Sequence, residues 1–295
     1  MSNIADALST SPPTKTFRKE TYQAISPSRP ELSTKGKHAV VSGGGSGIGA
    51  SIAQSLAKSG ISSLGLLGRT VTSLESTKAA IESLNPETRV YLYAADVTDA
   101  EATAAALASF SESIGGNIDI LVANAGYLAD FKSITDSDPS DWWRSFEINV
   151  RGNFNLLRAF RPHASPSASV VHISTAMVHI PYVPHTSAYR ASKIAATRLF
   201  ESFAGDNPDF FVVHLHPGLI ASGMKDKFGE TVAATGMVYD DISLPADFVV
   251  WTVSSEARFL NGRFLHVNWD VDELKALRGE LERNPSLFTV GLHLS

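Results

Sequence analysis

Tyr189 and Lys193 stand four residues apart in the run Tyr189-Arg-Ala-Ser-Lys193, at the start of a segment with helical periodicity. Side chains at i and i+4 leave a helix on the same face, so the two head groups can meet over a bound molecule. A free tyrosine ionises near pH ~10 and is a poor acid or base at neutrality; a nearby ammonium favours the phenolate and eases proton exchange. The same pair on many helices is only a solvated face, so the neighbouring motifs must decide. Upstream, Val170-Val-His-Ile-Ser174-Thr175 reads as a buried strand ending in two hydroxyls, and Asn124-Ala125-Gly126 ends another strand. Open α/β sheets collect their ligands at the carboxyl ends of strands.

A second constellation lies near the start. In His38-Ala-Val-Val-Ser42-Gly43-Gly-Gly-Ser46-Gly47-Ile48-Gly49 an apolar run breaks into glycines and then feeds an amphipathic segment. That is a strand, a tight turn and a helix start. Glycine lets backbone approach a pyrophosphate, and the helix start offers unpaired N–H groups and a positive dipole end. A dinucleotide is the natural ligand, although glycine-rich turns also arise between a strand and a helix without one. Gly43, Gly47 and Gly49 are spaced unlike the commoner G-x-G-x-x-G fingerprint, which points to one branch of dinucleotide enzymes.

The elements that must position these groups follow from periodicity. Strands are predicted at 38–42, 63–68, 89–94, 118–123, 169–174, 210–216 and 263–267, and helices at 47–59, 70–84, 99–113, 140–162, 187–204 and 244–256. The alternation implies a single-domain α/β fold, a Rossmann-type doubly wound parallel sheet of about seven strands flanked by helices. Residues 1–36, rich in Ser, Thr and Pro, read as an extended arm that Tyr22, Ile25 and Leu32 could pin to the domain; 37–270 is the domain, and 271–295 an extension packing on it. The segment 218–243 is either a lid over a substrate or a plain connection.

Composition narrows the classes. A net charge of −5 with no long run of like charges gives no support for a nucleic-acid or anionic-membrane partner. The absence of cysteine excludes disulfides, thiol catalysis and Cys-ligated metal. His214-x-His216 puts two imidazoles on one face of a strand, a pattern that fits packing or hydrogen bonding better than a metal, so no metal site is assigned. No apolar run approaches the ~18 residues of a membrane span, and neither terminus carries an address signal, which points to a cytoplasmic enzyme.

With these motifs in this order, the chain resembles the short-chain dehydrogenase/reductase family from about residue 36 to 267. Its run from Tyr22 to Leu32 and its ending Asn268-Trp-Asp-Val-Asp-Glu-Leu274 resemble fungal members, many of which work in specialised metabolism. The family's cofactor turn matches Ser42-Gly43 through Ser46-Gly47-Ile48-Gly49. Its adenine-side acid matches Asp96-Val97, its strand end Asn124 to Gly126, its helix asparagine Asn149, and its Pro-Gly turn Pro217-Gly218. The resemblance implies that Tyr189 is the catalytic acid or base, that Lys193 lowers its pKa and holds the nicotinamide ribose, and that Asn149 orders a water beside Lys193. It also implies backbone contact from Ile48, a carboxamide contact from Ile220, and an approach of Ser222 to a phosphate or the carboxamide. Either Thr175 or Ser174 positions the substrate oxygen; register favours Thr175, with one residue inserted before the tyrosine.

An enzyme specific for NAD commonly ends its second strand with a carboxylate that accepts the ribose hydroxyls. Here Gly68-Arg69 stands there, leaving room and a guanidinium for a 2′-phosphate, so NADP(H) is expected over NAD(H); an arginine stacked on adenine is the alternative. The expected activity is a carbonyl reductase acting on a mostly apolar small molecule, with an NAD-linked alcohol dehydrogenase or a non-redox epimerase, dehydratase or cyclase as alternatives. By analogy with the family, a homodimer or homotetramer is expected.

Overall fold

The computed structural model describes residues 12–221 and 238–292. Ser222, together with Met224, Phe228, Val232 and Met237 of the expected substrate loop, lies outside the described residues. Seven strands form one parallel sheet: β1 (His38–Ser42), β2 (Ser63–Gly68), β3 (Arg89–Ala94), β4 (Ile118–Ala123), β5 (Ala164–Ile173), β6 (Phe211–His216) and β7 (Phe264–His266). Their spatial order is β3-β2-β1-β4-β5-β6-β7, so the winding reverses between β1 and β4 and opens a crevice at their carboxyl ends. Flanking helices are α1 (Gly47–Lys58), α2 (Val71–Leu84), α3 (Ala100–Ile114), α4 (Pro139–Phe146), α5 (Asn153–Phe160), α6 (Ser187–Asp206) and α7 (Ser243–Thr252).

Both faces of the sheet are buried, which is why its strands read as apolar runs rather than as an apolar–polar alternation. Val41, Val122, Val171 and Val213 face one core with Ile52, Leu56 and Trp251, whereas Val40, Leu121, Val170 and Val212 face the other with Phe110, Phe160 and Phe200. Alternate residues of one strand thus enter different cores, as the pleat requires.

Three boundaries differ from expectation. The helix predicted over 140–162 is broken by a π-helical turn, Glu147–Gly152, between α4 and α5. Asn149 lies in that turn, and its backbone oxygen accepts from Asn153 Nδ2 at 2.7 Å. β5 begins at Ala164 rather than 169, because Ser165-Pro166-Ser167 masks its start and the pairing with β4 shifts register between Ile118 and Ile120. The helix predicted over 244–256 ends at Thr252 and a 3-10 turn, Ser255–Leu260, follows.

The described residues before β1 are not simply extended: they make two 3-10 turns, Gln23–Ile25 and Pro30–Leu32, whose Ile25 and Leu32 are fully buried in the first core. After β7 come α8 (Val271–Ala276) and α9 (Arg278–Arg283), and Arg263 donates to the carbonyls of Leu281 at 3.0 Å and Leu287 at 2.6 Å.

His214 and His216 share one face of β6, each with its own partner. His214 Nδ1 lies 3.2 Å from Nδ1 of His172 on β5, and the His172 ring stacks on Phe200 at 4.3 Å. The His216 ring lies 4.9 Å from that of His266 on β7, whose Nε2 is 2.9 Å from Nε2 of His179. Burial pushes all five imidazoles below their ordinary pKa, His214 to about 4 and His216 to about 3. Among the described residues, no group of three or more His, Asp or Glu is arranged to hold a metal ion.

Candidate active site

The crevice between β1 and β4 opens into a cleft of about 410 Å³ that runs from Arg69 at one end to Tyr189 and Lys193 at the other. Its floor at the β1–α1 turn is made by Gly43, Ser46, Gly47 and Ile48. The Ser42 hydroxyl does not reach the cleft. It is buried and accepts the N–H groups of Asn124 at 3.0 Å and Ala125 at 3.1 Å, tying the ends of β1 and β4 together. Asn124 Nδ2 returns the tie by donating to Ser42 O at 3.0 Å and Gly43 O at 3.4 Å.

Gly49 also stands behind the cleft wall, and its role is close approach. A Cβ added there would lie 2.3 Å from Gly43 O and 2.5 Å from Asn124 Nδ2, distances that backbone and amide cannot accommodate in place. Gly49→Ala is therefore expected to push the glycine turn off β4, lowering stability by ~1–3 kcal/mol and weakening dinucleotide binding. A thermal melt with and without NADPH checks this, and an unchanged melting temperature together with unchanged affinity would contradict it.

At the Arg69 end, Asp96 and Val97 line the cleft, together with Thr70 and Ser73, two hydroxyl residues at the start of α2 that motif reading missed. Their signal was hydroxyls at a helix start just after the second strand. Asp96 Oδ1 accepts from Thr98 N and Thr98 Oγ1, both at 2.9 Å, and Arg69 lies at 3.9 Å from its other oxygen. Burial alone would raise the Asp96 carboxyl, but the Thr98 hydrogen bonds and Arg69 outweigh it and hold the group below its usual range. Arg69 keeps more than half of its side chain exposed at the mouth of the cleft.

At the other end Ala125, Gly126, Ser174, Tyr189, Lys193 and Pro217 converge. The two hydroxyls at the end of β5 part company. Thr175 hydrogen-bonds the Tyr189 phenol, whereas Ser174 Oγ turns back to Thr197 Oγ1 on α6 at 3.3 Å. Lys193 Nζ donates to Ile173 O at 2.9 Å and lies 5.9 Å from the centre of the Tyr189 ring. Burial pushes the Tyr189 phenol up to about 12, against the downward pull of Thr175, and pushes the Lys193 ammonium down to about 8. Desolvation is thus the larger influence on both groups.

Asn149, fully buried, accepts from Tyr127 N at 2.8 Å and donates to Tyr127 O and Ser192 Oγ, each at 2.9 Å. Both of its amide protons are spent on protein, so its side chain pins the turn after β4 to α6. Gly126 sits where a Cβ would be 3.3 Å from Asn149 Oδ1 and 3.5 Å from Lys193 Nζ. Gly218 and Ile220 follow Pro217 just outside the cleft lining, and Ile220 bridges to Asp240. Arg190, also missed from the sequence, donates to the carbonyls of Met177 at 3.0 Å, Ile180 at 2.8 Å and Pro181 at 3.2 Å, bracing the loop that follows Thr175.

A reversing parallel sheet with a glycine turn at its switch point and a half-buried Tyr189 beside a buried Lys193 at the next strand ends defines a dinucleotide-linked oxidoreductase site. The short chain dehydrogenase family model matches residues 37–233, and the chain belongs to the short-chain dehydrogenase/reductase family. It is 34% identical to the short chain dehydrogenase/reductase AacuD of Aspergillus aculeatus, covering 95% of this chain and 96% of that protein. It is also 34% identical to a short chain dehydrogenase/reductase of Claviceps purpurea, over 96% of this chain and 94% of the relative. Among solved structures, a short chain dehydrogenase from Burkholderia cenocepacia in complex with NADP is similar, with a TM-score of 0.73, 28% identity, and coverage of 81% of this chain and 99% of that one. Among the described residues no helix is long and apolar enough to cross a membrane.

Proposed function

We propose that this chain is a cytoplasmic NADP(H)-dependent carbonyl reductase that acts on a mostly apolar ketone, with Tyr189 as proton donor. The observation that carries the reading is the half-buried Tyr189, hydrogen-bonded by Thr175 and set beside the buried Lys193 at one end of a dinucleotide-sized cleft. The glycine turn, whose Gly43, Ser46, Gly47 and Ile48 line the cleft, fits close passage of a pyrophosphate over the N-terminus of α1. When bound, NADPH supplies the hydride. The Thr175 hydroxyl and Tyr189 phenol converge on the substrate oxygen; Tyr189 gives up its proton as charge builds there, and the Lys193 ammonium stabilises the phenolate left behind. Lys193 also holds the nicotinamide ribose in this reading, and Asn149 positions Tyr127 and α6 rather than meeting substrate.

An apolar wall of Ala176, Met177, Ile180 and Val183 packs against Tyr189, which suits an apolar substrate. The fungal relatives fit a role in specialised metabolism. Trp143 and Phe154, 59% and 45% exposed along α4 and α5, suit a face buried in a homodimer or homotetramer.

Selectivity for the 2′-phosphate rests on Arg69, backed by Thr70 and Ser73 at the start of α2. Fluorescence titration of the protein is expected to show tight NADPH and weak NADH binding. Arg69→Ala should weaken NADPH about tenfold or more, the loss of a charge-assisted fork, and leave NADH within about twofold. Equal affinity of the parent for both would favour the NAD-linked dehydrogenase, while binding without NADPH consumption across a ketone screen would favour a non-redox reaction.

A further inference from the structure

Beyond Pro217, which lines the cleft with Tyr189 and Lys193, the backbone leaves β6 and loses the support of the sheet. What supports it is Asp240. Leu219 N donates to Asp240 Oδ2 at 2.9 Å, and Asp240 N donates to Leu219 O at 2.8 Å. Gly218 has φ +81°, and a Cβ there would fall 2.6 Å from Asp240 Oδ2, so the carboxylate occupies the space a side chain would need.

The carboxylate is itself held from the other side. The Asn268 amide, 2% exposed, hydrogen-bonds Asp240 and donates to Arg18 O at 2.8 Å. An amide nitrogen has two protons, one for each of these acceptors. Arg18 N donates to Asn268 O at 2.7 Å, and the Arg18 guanidinium makes 2.7 and 3.0 Å bonds to Asp270 Oδ2. One residue on, Lys19 O accepts from Asp241 N at 2.7 Å. A continuous set of hydrogen bonds therefore joins the segment before the domain to the Pro217–Gly218 turn, bridging residues 250 apart at the Arg18–Asn268 bond.

We propose that Asp240 is a positioning residue for the nicotinamide half of the cofactor site, and that the N-terminal segment around Arg18 braces it through Asn268. The inference rests on the reading of the cleft as an NADP(H) site. Its mechanical content is simple: a backbone turn that must face a planar ring cannot drift when one carboxylate fixes its N–H and a second chain segment fixes that carboxylate.

Two probes separate this from a general structural role. NADPH spans both halves of the cleft, whereas 2′,5′-ADP occupies only the adenine half. Asp240→Ala is expected to weaken NADPH about tenfold, the effect of losing a hydrogen bond to a charged group, with 2′,5′-ADP held within about twofold. Asp240→Asn keeps an acceptor for Leu219 N–H and should restore most of the NADPH affinity. Asn268→Ala, which leaves Asp240 in place but unbraced, should give a milder loss of the same pattern and serves if Asp240→Ala does not fold. Unchanged NADPH affinity in Asp240→Ala, or in Asn268→Ala where that variant serves, overturns the proposal, as does an equal loss for both ligands, which would mark a general structural role. Failure of the parent to bind NADPH would instead overturn the cofactor reading, and this proposal with it.

Discussion

Tyr189→Phe is expected to lower carbonyl reduction by two to four powers of ten, the range that a positioned general acid contributes, while NADPH affinity stays within about twofold. The substitution removes one oxygen. The ring still packs against Ala176, Met177, Ile180 and Val183, and Lys193 keeps its bond to Ile173 O. What disappears is the phenol hydroxyl that hydrogen-bonds Thr175, the proton donor of the proposed reaction. Thr175→Ala should cost less, because the phenol remains. Single-turnover kinetics with a ketone that the parent reduces would measure the chemical step directly. Turnover of that ketone at the parental rate would sink the assignment of Tyr189 as proton donor.

A second large effect is expected in stability rather than catalysis. His172, His179, His214, His216 and His266 all have pKa values depressed by burial. In the unfolded chain each would titrate near ~6.5. Below that value the unfolded state binds protons that the folded state refuses, so stability is fully present above pH ~6.5 and falls as the pH drops. The loss continues until the folded-state values are reached, about 4 for His214 and about 3 for His216. Each such histidine contributes a slope of roughly 1.4 kcal/mol per pH unit. With several acting together, the protein should become strongly acid-labile between pH 6 and 5, before most carboxylates titrate. Urea unfolding at a series of pH values checks this, with proton uptake on unfolding read from the slope. A midpoint that stays level from pH 7 to 5 would mean that the imidazoles are protonated, or solvated, in the folded protein.

These histidines show what a strand pattern conceals. His214 and His216 were legible as neighbours on one face, since alternate side chains of a strand share a side. Their partners on β5 and β7 were not, because sheet order and register bring together residues far apart in sequence. The same holds for Ser42. As a hydroxyl beside the glycine turn it read as a cofactor contact, but β1 pairs with β4 and the hydroxyl is consumed in joining the two strand ends. Thr175 and Ser174 could be separated only by the direction each side chain takes at the end of β5, one toward Tyr189 and the other toward Thr197.

Local rules nonetheless reached far. Apolar runs and turn residues placed β1 through β4 within their observed bounds, and the glycines marked the tight turn from β1 into α1. The four-residue step from Tyr189 to Lys193 put both head groups on one helix face, as helical geometry demands. Such features depend on neighbours within a turn or a strand, so the sequence alone determines them. The tertiary structure decided the rest. It raised the Tyr189 phenol, where desolvation outweighed the pull of Thr175; it broke the Asn149 helix with a π turn; and it folded the segment before β1 into the core and against Asn268. Each of these outcomes is a balance of desolvation and hydrogen bonds among groups that meet only after the chain has closed on itself.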